Sequence, residues 1–487
     1  MARNKSGDTF LDHWSFTSSF FTNYFQNQMI DISNKEKIDI RDKRVSVLGL
    51  GLSGTEAAKL ANHLGARVFA SDSSAGKKIC SHSMELMHSH HIASETGIHS
   101  DKIYDADLWI ISPGISKNSG IVKRASQIGI PVVSEIEFSS WYTKAPIIAV
   151  TGSNGKTTTC HMLSKMCNTD QNNIMMAGNM GIPFSERVLN EIKNPKENIL
   201  YILEISSFQL EFIKHFSPHI LIYTNISPDH LDRHGSMEEY INMKLNAAKN
   251  IKQDGSIIYN IDDLQLEKAL SLISKTKVHF SLENNDVLFN INGNSINGPS
   301  NEELINLDEI NIPGKHNLYN FLAAATCSHL LGISQDHIAR SMKTFKGVEH
   351  RLEHVALIND IEYINDSKAT NIDSVIVAIN TFKKPLVLIL GGYDKGSNFR
   401  LLLPHIKSSH VRDIVSFGDA GGQINTDLGD AVRSVLVTDL NSAVIKAQSM
   451  AAPGDIILLS PGCASFDEFS NFEERGLYFK SIVETFK

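Results

Sequence analysis

Residues 149–159 read AVTGSNGKTTT, overlapping the apolar run 147–150 and opening a stretch, 158–166, of helical character. A strand, a glycine-rich turn and a helix in that order commit the surrounding chain to α/β architecture, since a sheet must hold the strand and the helix must pack back on it. Glycines let the backbone curl until several N–H groups face an anion, and the helix N-terminus adds positive potential. Lys156 stands where a lysine reaches the β/γ-phosphates of a nucleotide, and Thr157 where a hydroxyl can meet Mg²⁺. Gly152, Asn154, Gly155, Lys156, Thr157 and Thr158 are therefore the expected ATP-phosphate contacts. The common G-x-x-x-x-G-K-[ST] pattern asks for glycine at position 150, where this chain has Val150, so the loop departs from that form.

Similar apolar runs recur along the chain, alternating with helical segments, which predicts mostly parallel sheets covered by helices. In the first block a strand at 45–48 runs into Gly49-Leu-Gly51-Leu-Ser-Gly54 and a helix through His63, and Asp72 closes a second strand at 68–70. Further strands are expected at 108–111 and 131–133, with Ser112-Pro113-Gly114 turning at the carboxyl end of the former. Read alone, this block is a dinucleotide site and suggests an NAD-linked oxidoreductase. A second block begins near Pro146 with the phosphate loop and continues through strands at 199–203, 220–225 and 256–260. A linker around 312–314 leads into a third, with strands at 386–390, 414–417, 434–437 and 456–460. The expected fold is α/β, with three αβ domains in series. They are a Rossmann-like domain (44–144), a central P-loop ATPase-like domain (145–345) and a Rossmann-like C-terminal domain (346–487), after a poorly ordered extension (1–43).

A formal net charge of −8 and the lack of any Lys/Arg block argue against nucleic acid as a partner. Cys80, Cys160, Cys167, Cys327 and Cys463 are scattered without C-x-x-C pairing, so neither a zinc site nor a disulfide framework is expected, and a reducing cytoplasm suits them. No run of 18 uncharged apolar residues exists, which argues against stable membrane insertion. The first residues carry Phe10, Trp14, Phe20, Phe21, Tyr24 and Phe25, but Asp8, Asp12 and His13 interrupt them, and the segment is no secretory signal. It reads as a tail ahead of an alternative start at Met29. Phe10, Trp14, Phe21 and Phe25 can also share one helical face that docks on a membrane surface or a partner.

Two further clusters fall behind the phosphate loop. Glu204 ends the strand at 199–203, where a carboxylate neighbouring a phosphate loop can hold Mg²⁺. Ser227-Pro-Asp229-His230-Leu-Asp232-Arg233-His234 ends the next strand and makes His230 a candidate ligand. His88, His90 and His91 lie in a polar stretch without carboxylate rhythm and read as solvated.

TGSNGKTTT, AGNMGIP (177–183), LEISSFQLE (203–211), NISPDHLDRH (225–234), PGKHNLYNFLAA (313–324), HRLE (350–353), INDSKATN (364–371), GGYDKG (391–396) and SPGCASFDEFSNFEERG (460–476) together resemble the Mur ligase family. The matches run in order from about residue 44 to the C-terminus. GGYDKG and the last motif favour the branch that adds D-glutamate to UDP-N-acetylmuramoyl-L-alanine. The resemblance implies ATP and two Mg²⁺ ions as cofactors, a cytoplasmic monomer, and a place in peptidoglycan precursor synthesis. Lys156 and Thr157 would grip ATP and Mg²⁺, with Glu204 a metal ligand and His230 holding a second ion. Lys244 matches the family's carbamylated lysine, although the residues alone read it as an exposed helical lysine. CO₂ on its amine would turn a cation into an anionic oxygen ligand.

Asn317, Asn320, Arg351 and Asp366 would contact adenine, ribose or phosphate. Lys368, Thr370, Lys395, Ser465, Phe466 and Phe472 would receive D-glutamate, whose carboxylates suit the two lysines. Asn179 and Ser206 would meet the muramoyl-alanine end, and Leu52, Ser53, Asp72, Ser73 and Ser112 the uridine diphosphate. The glycine turn at 49–54 would then receive a uridine nucleotide rather than NAD. The implied chemistry is an acyl phosphate on the L-alanine carboxylate, attacked by the D-glutamate amine, with domain closure keeping water away. The alternatives are a sibling ligase for another amino acid or a folylpolyglutamate-type enzyme, an NAD-linked oxidoreductase, and a catalytically dead nucleotide-binding partner.

Overall fold

The computed structural model describes residues 30–299, 301–312, 314–394 and 396–487. The aromatic residues Phe10, Trp14, Phe21 and Phe25, and Lys395, lie outside the described residues. The chain packs as two compact units, one holding residues up to Leu304 with Tyr319–Ala339, the other Ile305–Leu318 with Arg340–Lys487. No helix among the described residues is long and apolar enough to cross a membrane.

The first unit carries two parallel sheets. In chain order the first has β1 (Arg44–Leu48), β2 (Arg67–Asp72), β3 (Ala93–Thr96), β4 (Leu108–Ile111) and β5 (Val132–Ser134), arranged β3-β2-β1-β4-β5. The order reverses between β1 and β4, which opens a crevice at their carboxyl ends. The second has β6 (Ile147–Thr151), β7 (Asn173–Gly178), β8 (Ile199–Glu204), β9 (Ile220–Tyr223), β10 (Ser256–Asn260) and β11 (Thr276–Phe280), arranged β11-β10-β9-β6-β8-β7. Central strands such as β6 (IIAVT) and β8 (ILYILE) are buried at every position, as a sheet covered on both faces requires. A small sheet of β12 (Asn290–Asn292), β13 (Ser295–Asn297) and β14 (Glu303–Asn306) follows.

One continuous apolar core runs beneath both large sheets of this unit, joined where helix Phe184–Lys193 packs on helices Leu52–His63 and Glu135–Ser140. Each fully buried Leu, Ile or Phe there stabilises by about 1.5–3 kcal/mol. Glu137 pins the same joint. Its carboxylate is fully buried and accepts from the backbone N–H of Lys214 (2.8 Å), His215 (2.7 Å) and Phe216 (2.7 Å), and from the Trp141 indole (2.8 Å).

The extension expected to be poorly ordered is built into this unit from residue 30 onward. Ile30 is buried and its N–H donates to Asp107 O, Lys35 Nζ donates to Ser140 O, and His215 Nε2 bonds Ile32 O. Nor does the segment around 312–314 lead straight into the third block. Helix Lys315–Leu330 begins there and carries the chain back into the first unit before the last sheet starts.

The second unit is built on β15 (Glu353–Ile358), β16 (Ile361–Asn365), β17 (Leu386–Gly391), β18 (Val411–Phe417), β19 (Arg433–Leu436) and β20 (Ile456–Gly462), arranged β15-β16-β20-β17-β18-β19. Only the β15–β16 hairpin is antiparallel in this sheet. Separate apolar clusters cover its two faces.

Candidate active site

The glycine-rich loop joins β6 to helix Lys156–Cys167 in the middle of the second sheet, with β8 and β9 as its neighbours. The helix starts two residues before the expected position. Gly152 has φ 144°, and a Cβ there would stand 2.0 Å from Thr224 Oγ1; at Gly155, φ 84°, it would stand 2.4 Å from Asn320 Oδ1. Only glycine fits either position, which is the close backbone cradle that phosphate binding needs. The loop is clamped from the β9 side. Thr224 Oγ1 and Asn225 Nδ2 donate to Asn154 O at 2.6 and 3.0 Å, and Asn225 Oδ1 accepts from Asn154 N at 2.9 Å.

Two amines converge on this loop. Lys156 Nζ donates to Gly152 O at 2.8 Å and to Ser153 O at 2.7 Å, while Lys244 Nζ donates to the same Gly152 oxygen at 2.8 Å. Lys244 was read from its residues alone as exposed; it is 2% exposed, on helix Met237–Lys249. Its Nζ lies 4.7 Å from the centre of the Tyr240 ring, whose hydroxyl bonds Ser153 Oγ at 2.9 Å. Burial, and then the Lys156 charge, push the Lys244 ammonium well below its usual range. Two like charges held on one oxygen repel, so the geometry suits an anion between them or a neutral Lys244.

Glu204 ends β8 beside the loop, 4% exposed. Its Oε2 accepts from Thr157 Oγ1 at 2.7 Å and its Oε1 from Asn179 Nδ2 at 3.0 Å. A carboxylate and a hydroxyl meeting at a phosphate loop form the hard oxygen donor set that Mg²⁺ prefers. His230 is exposed, in a left-handed conformation (φ 52°), with Nε2 3.5 Å from Asp229 Oδ2 and its ring 4.7 Å from that of Phe208. The side chain of Asp232 lies outside the described residues. Ser206 is tied to Gln209 Oε1 through its N–H and hydroxyl.

At the crevice of the first sheet, Gly49 approaches Ser112, whose hydroxyl donates to Gly49 O at 2.8 Å. Asp72 uses one carboxylate oxygen on Leu50 N (2.6 Å) and the other on Ser74 N (2.8 Å), so it shapes the glycine turn. Leu52 and Ser73 are exposed and Ser53 is half-buried, all at the same strand ends.

Asn317 and Asn320 are buried three residues apart on helix Lys315–Leu330, with Asn320 Oδ1 accepting from Thr159 Oγ1 at 3.3 Å. In the second unit Asp366 is buried, accepting from Ser460 Oγ (2.8 Å) and Leu352 N (3.2 Å), and burial raises its carboxyl to about 7. Arg351 is half-buried beside this pair. Lys368 Nζ sits 3.8 Å over the Phe472 ring, and Thr370 is half-buried two residues on. Ser465 is buried, whereas Phe466 is 62% exposed with Tyr393 as ring neighbour.

Arg475, fully buried, organises this cluster: it donates to Ser367 Oγ, Ser367 O, Cys463 O and Ala464 O at 2.8–3.1 Å. Sequence reasoning singled out neither Arg475 nor Arg233, Thr224, Asn225 or Tyr240. All but Tyr240 lie in or beside quoted motifs, and an arginine inside such a motif was the available signal.

The chain matches three domain families in succession: the MurD N-terminal domain over residues 44–121, the Mur ligase middle domain over 150–328, and the glutamate ligase domain of Mur ligases over 350–463. It is 38% identical over 468 residues to the UDP-N-acetylmuramoylalanine–D-glutamate ligase of Chloroherpeton thalassium, covering 91% of this chain and 98% of that one. It is 40% identical over 455 residues to the enzyme of that name from Caldanaerobacter subterraneus, covering 92% and 99%. Among solved structures, the UDP-N-acetylmuramate-alanine ligase of Thermotoga maritima superposes with a TM-score of 0.58 at 18% identity, covering 91% of this chain and all of that one. The MurF ligase of the same organism, solved with ADP, gives 0.56 at 16% identity over 94% and 98% of the two chains. These last two likenesses concern the fold alone. From the three successive domain matches and the near full-length relatives it follows that this chain belongs to the Mur ligase family.

Proposed function

We propose that this chain couples ATP cleavage to formation of an amide bond between the L-alanine carboxylate of UDP-N-acetylmuramoyl-L-alanine and the amine of D-glutamate. The name borne by its near full-length relatives supports that choice of substrates. The observation that carries the chemistry is the pair of amines, Lys156 and Lys244, on one loop carbonyl beside the Thr157–Glu204 oxygen pair.

In this reading the glycine loop and Lys156 bind the ATP phosphates, and Thr157 and Glu204 hold Mg²⁺, with His230 toward a second ion. Bound Mg²⁺ would neutralise phosphate charge and line up the attacking and leaving oxygens. An oxygen of the L-alanine carboxylate attacks the γ-phosphorus and the bond to ADP breaks, giving an acyl phosphate. The D-glutamate amine then adds to the acyl carbon, phosphate leaves with the C–O electron pair, and the amine gives up its proton to solvent. Activation is needed because a carboxylate is a poor electrophile with a poor leaving group. Lys156 stabilises charge on the transferred phosphoryl group.

Lys244 is suited to carbamylation by its burial next to another cation. Its neutral amine forms an N–C bond to CO₂ and loses one proton, which replaces a repelled cation by an anion near the metal site.

The uridine nucleotide is assigned to Leu52, Ser53, Asp72, Ser73 and Ser112, and the muramoyl-alanine end to Asn179 and Ser206. Asn317, Asn320, Arg351 and Asp366 are assigned to the ATP nucleoside and phosphates. D-glutamate falls to Lys368, Thr370, Lys395, Ser465, Phe466 and Phe472. The three functional domains are placed at 44–144, 145–345 and 346–487. A coupled assay of phosphate release tests the reading: release should need ATP, Mg²⁺, UDP-N-acetylmuramoyl-L-alanine and D-glutamate together. Equal release with L-alanine or a diamino acid in place of D-glutamate would overturn the substrate assignment.

A further inference from the structure

Arg233 follows the histidine loop and reaches across to the first sheet. One terminal nitrogen donates to Gly114 O at 3.1 Å, and the other to Ile115 O at 3.0 Å and to Glu211 Oε2 at 2.9 Å. Its side chain is 17% exposed and that of Glu211 only 4%. The guanidinium carbon sits 4.6 Å from the centre of the Phe208 ring, against which the rings of His230 (4.7 Å) and His234 (5.4 Å, stacked) also rest. The backbone N–H groups of Arg233 and His234 both donate to His230 O at 3.1 Å, so the turn that bears the arginine also fixes the left-handed histidine.

Arg233 therefore joins three segments, touching two through its side chain and belonging to the third. These are the turn after Ser112 at the crevice of the first sheet, the loop after Glu204 through Phe208 and Glu211, and the loop of His230. A planar fork spread over two successive carbonyls and a carboxylate holds them in fixed relative position, which a point charge on a flexible stem cannot do. The Arg233 Nε–H is buried and has no hydrogen-bond partner, so the fork is kept at the expense of one unsatisfied donor.

We propose that Arg233 is a positioning residue that couples seating of the nucleotide sugar at the Ser112 turn to placement of His230 beside the phosphate loop. This rests on the functional reading above, which puts the nucleotide sugar at that turn. Arg233→Met keeps the stem and removes the fork; Arg233→Lys keeps the charge. Losing hydrogen bonds to a charged group should raise KM for UDP-N-acetylmuramoyl-L-alanine about tenfold to a hundredfold in Arg233→Met and lower kcat, while KM for ATP stays within about twofold. Arg233→Lys should recover part of the kcat loss and little of the KM.

Glu211→Gln, which leaves the arginine but weakens its anchor, should show the same pattern at smaller size and serves if Arg233→Met fails to fold. A thermal melt run alongside separates a stability defect from a positioning one. Wild-type kinetics in Arg233→Met, or equal loss in the KM for ATP and for the nucleotide sugar, would overturn the proposal. A wild-type protein without turnover of these substrates would overturn instead the reading on which it rests.

Discussion

Glu137→Gln changes one oxygen into an NH₂ group and almost nothing else, so its effect can be worked from the hydrogen bonds. Oε1 accepts from His215 N and Trp141 Nε1, and Oε2 from Lys214 N and Phe216 N. Whichever way the glutamine amide turns, its nitrogen faces one buried donor (Trp141 Nε1 or Phe216 N) and one part-buried donor, and both lose their acceptor. The buried orphan costs about 1–3 kcal/mol and the part-buried one less, because water can reach it, so the substitution should destabilise by about 1–4 kcal/mol, with no cavity term because the volume is unchanged. That is a large share of the roughly 5–15 kcal/mol that holds a domain folded.

The loss should appear first where the carboxylate acts, at the segment 214–216 and the end of helix Glu135–Ser140. Hydrogen exchange read by mass spectrometry should show protection of peptides spanning 213–217 falling at least about tenfold, with urea unfolding shifted to lower concentration. Peptides from β17 and β18 should keep their protection, since they belong to the other unit. Unchanged exchange at 213–217 together with an unchanged urea midpoint would show that the four bonds add nothing, and the account of the joint would fail.

Lys156→Ala should abolish phosphate release while leaving affinity for the nucleotide sugar nearly intact, measured by calorimetry; loss of both together would contradict the separate sites assigned to them. Lys244→Ala should be nearly inactive and partly restored by formate or acetate, whose oxygens can stand in for a carbamate; full activity without rescue would reduce Lys244 to a packing residue. Glu135 is buried and its carboxyl is raised to about 7 by that burial, which outweighs the Ser185 N–H donating at 2.5 Å and weaker help from the Ser185 and Ser139 hydroxyls and the Phe184 N–H. A raised folded pKa stabilises below the unfolded value near 4.5 and the gain is lost as pH climbs through 7, so Glu135→Gln should be more stable than wild type at pH 8 and not at pH 4. Urea unfolding at both pH values checks the sign. A chain begun at Met29 should keep full-length turnover and Tm, whereas one begun at Arg44 should melt lower because it lacks the buried Ile30 and Ile40.

What the residues made legible follows how deeply each strand is buried. Central strands carry continuous apolar runs, and β1, β4, β6, β8, β9, β10, β17 and β20 were all expected close to where they stand. Among the unread strands, β3 (ASET), β7 (NIMMAG), β11 (TKVHF) and β15 (EHVALI) are sheet edges with mixed burial; β3 and β11 carry no apolar run, whereas β7 and β15 each hold a four-residue run that went unread, and β12, β13 and β14 are only three or four residues long. β16 (IEYIN), also missed, is antiparallel to β15 and parallel to β20, and Glu362 interrupts its apolar residues. The placement of the glycine loop between β6 and its helix, of Glu204 at the end of β8 and of His230 after β9 was legible, because glycines, a lysine and charged residues at strand ends are informative by themselves. Lys244 was not: a lysine inside a helix looks solvated until tertiary packing buries it beneath the loop, and only the family likeness marked it. Asp72 shows what a sequence leaves out: an acid at the end of β2 reads as a ribose contact, and its bonds to Leu50 N and Ser74 N, which shape the glycine turn, become visible only in the fold.

Lys156 has a second consequence for the phosphate loop it belongs to. Lys156 Nζ donates to Gly152 O and Ser153 O, so if the loop receives a triphosphate as proposed, its ammonium would be an intramolecular competitor for that ground. A nucleotide would then gain the lysine only after those two bonds were broken, which would lower its apparent affinity, and a lone phosphate would offer too little in exchange, so the loop is expected to favour ligands long enough to bind its N–H groups while the lysine swings out. Titrating inorganic phosphate against ADP and ATP would expose this selectivity, and equal affinity for all three would refute it.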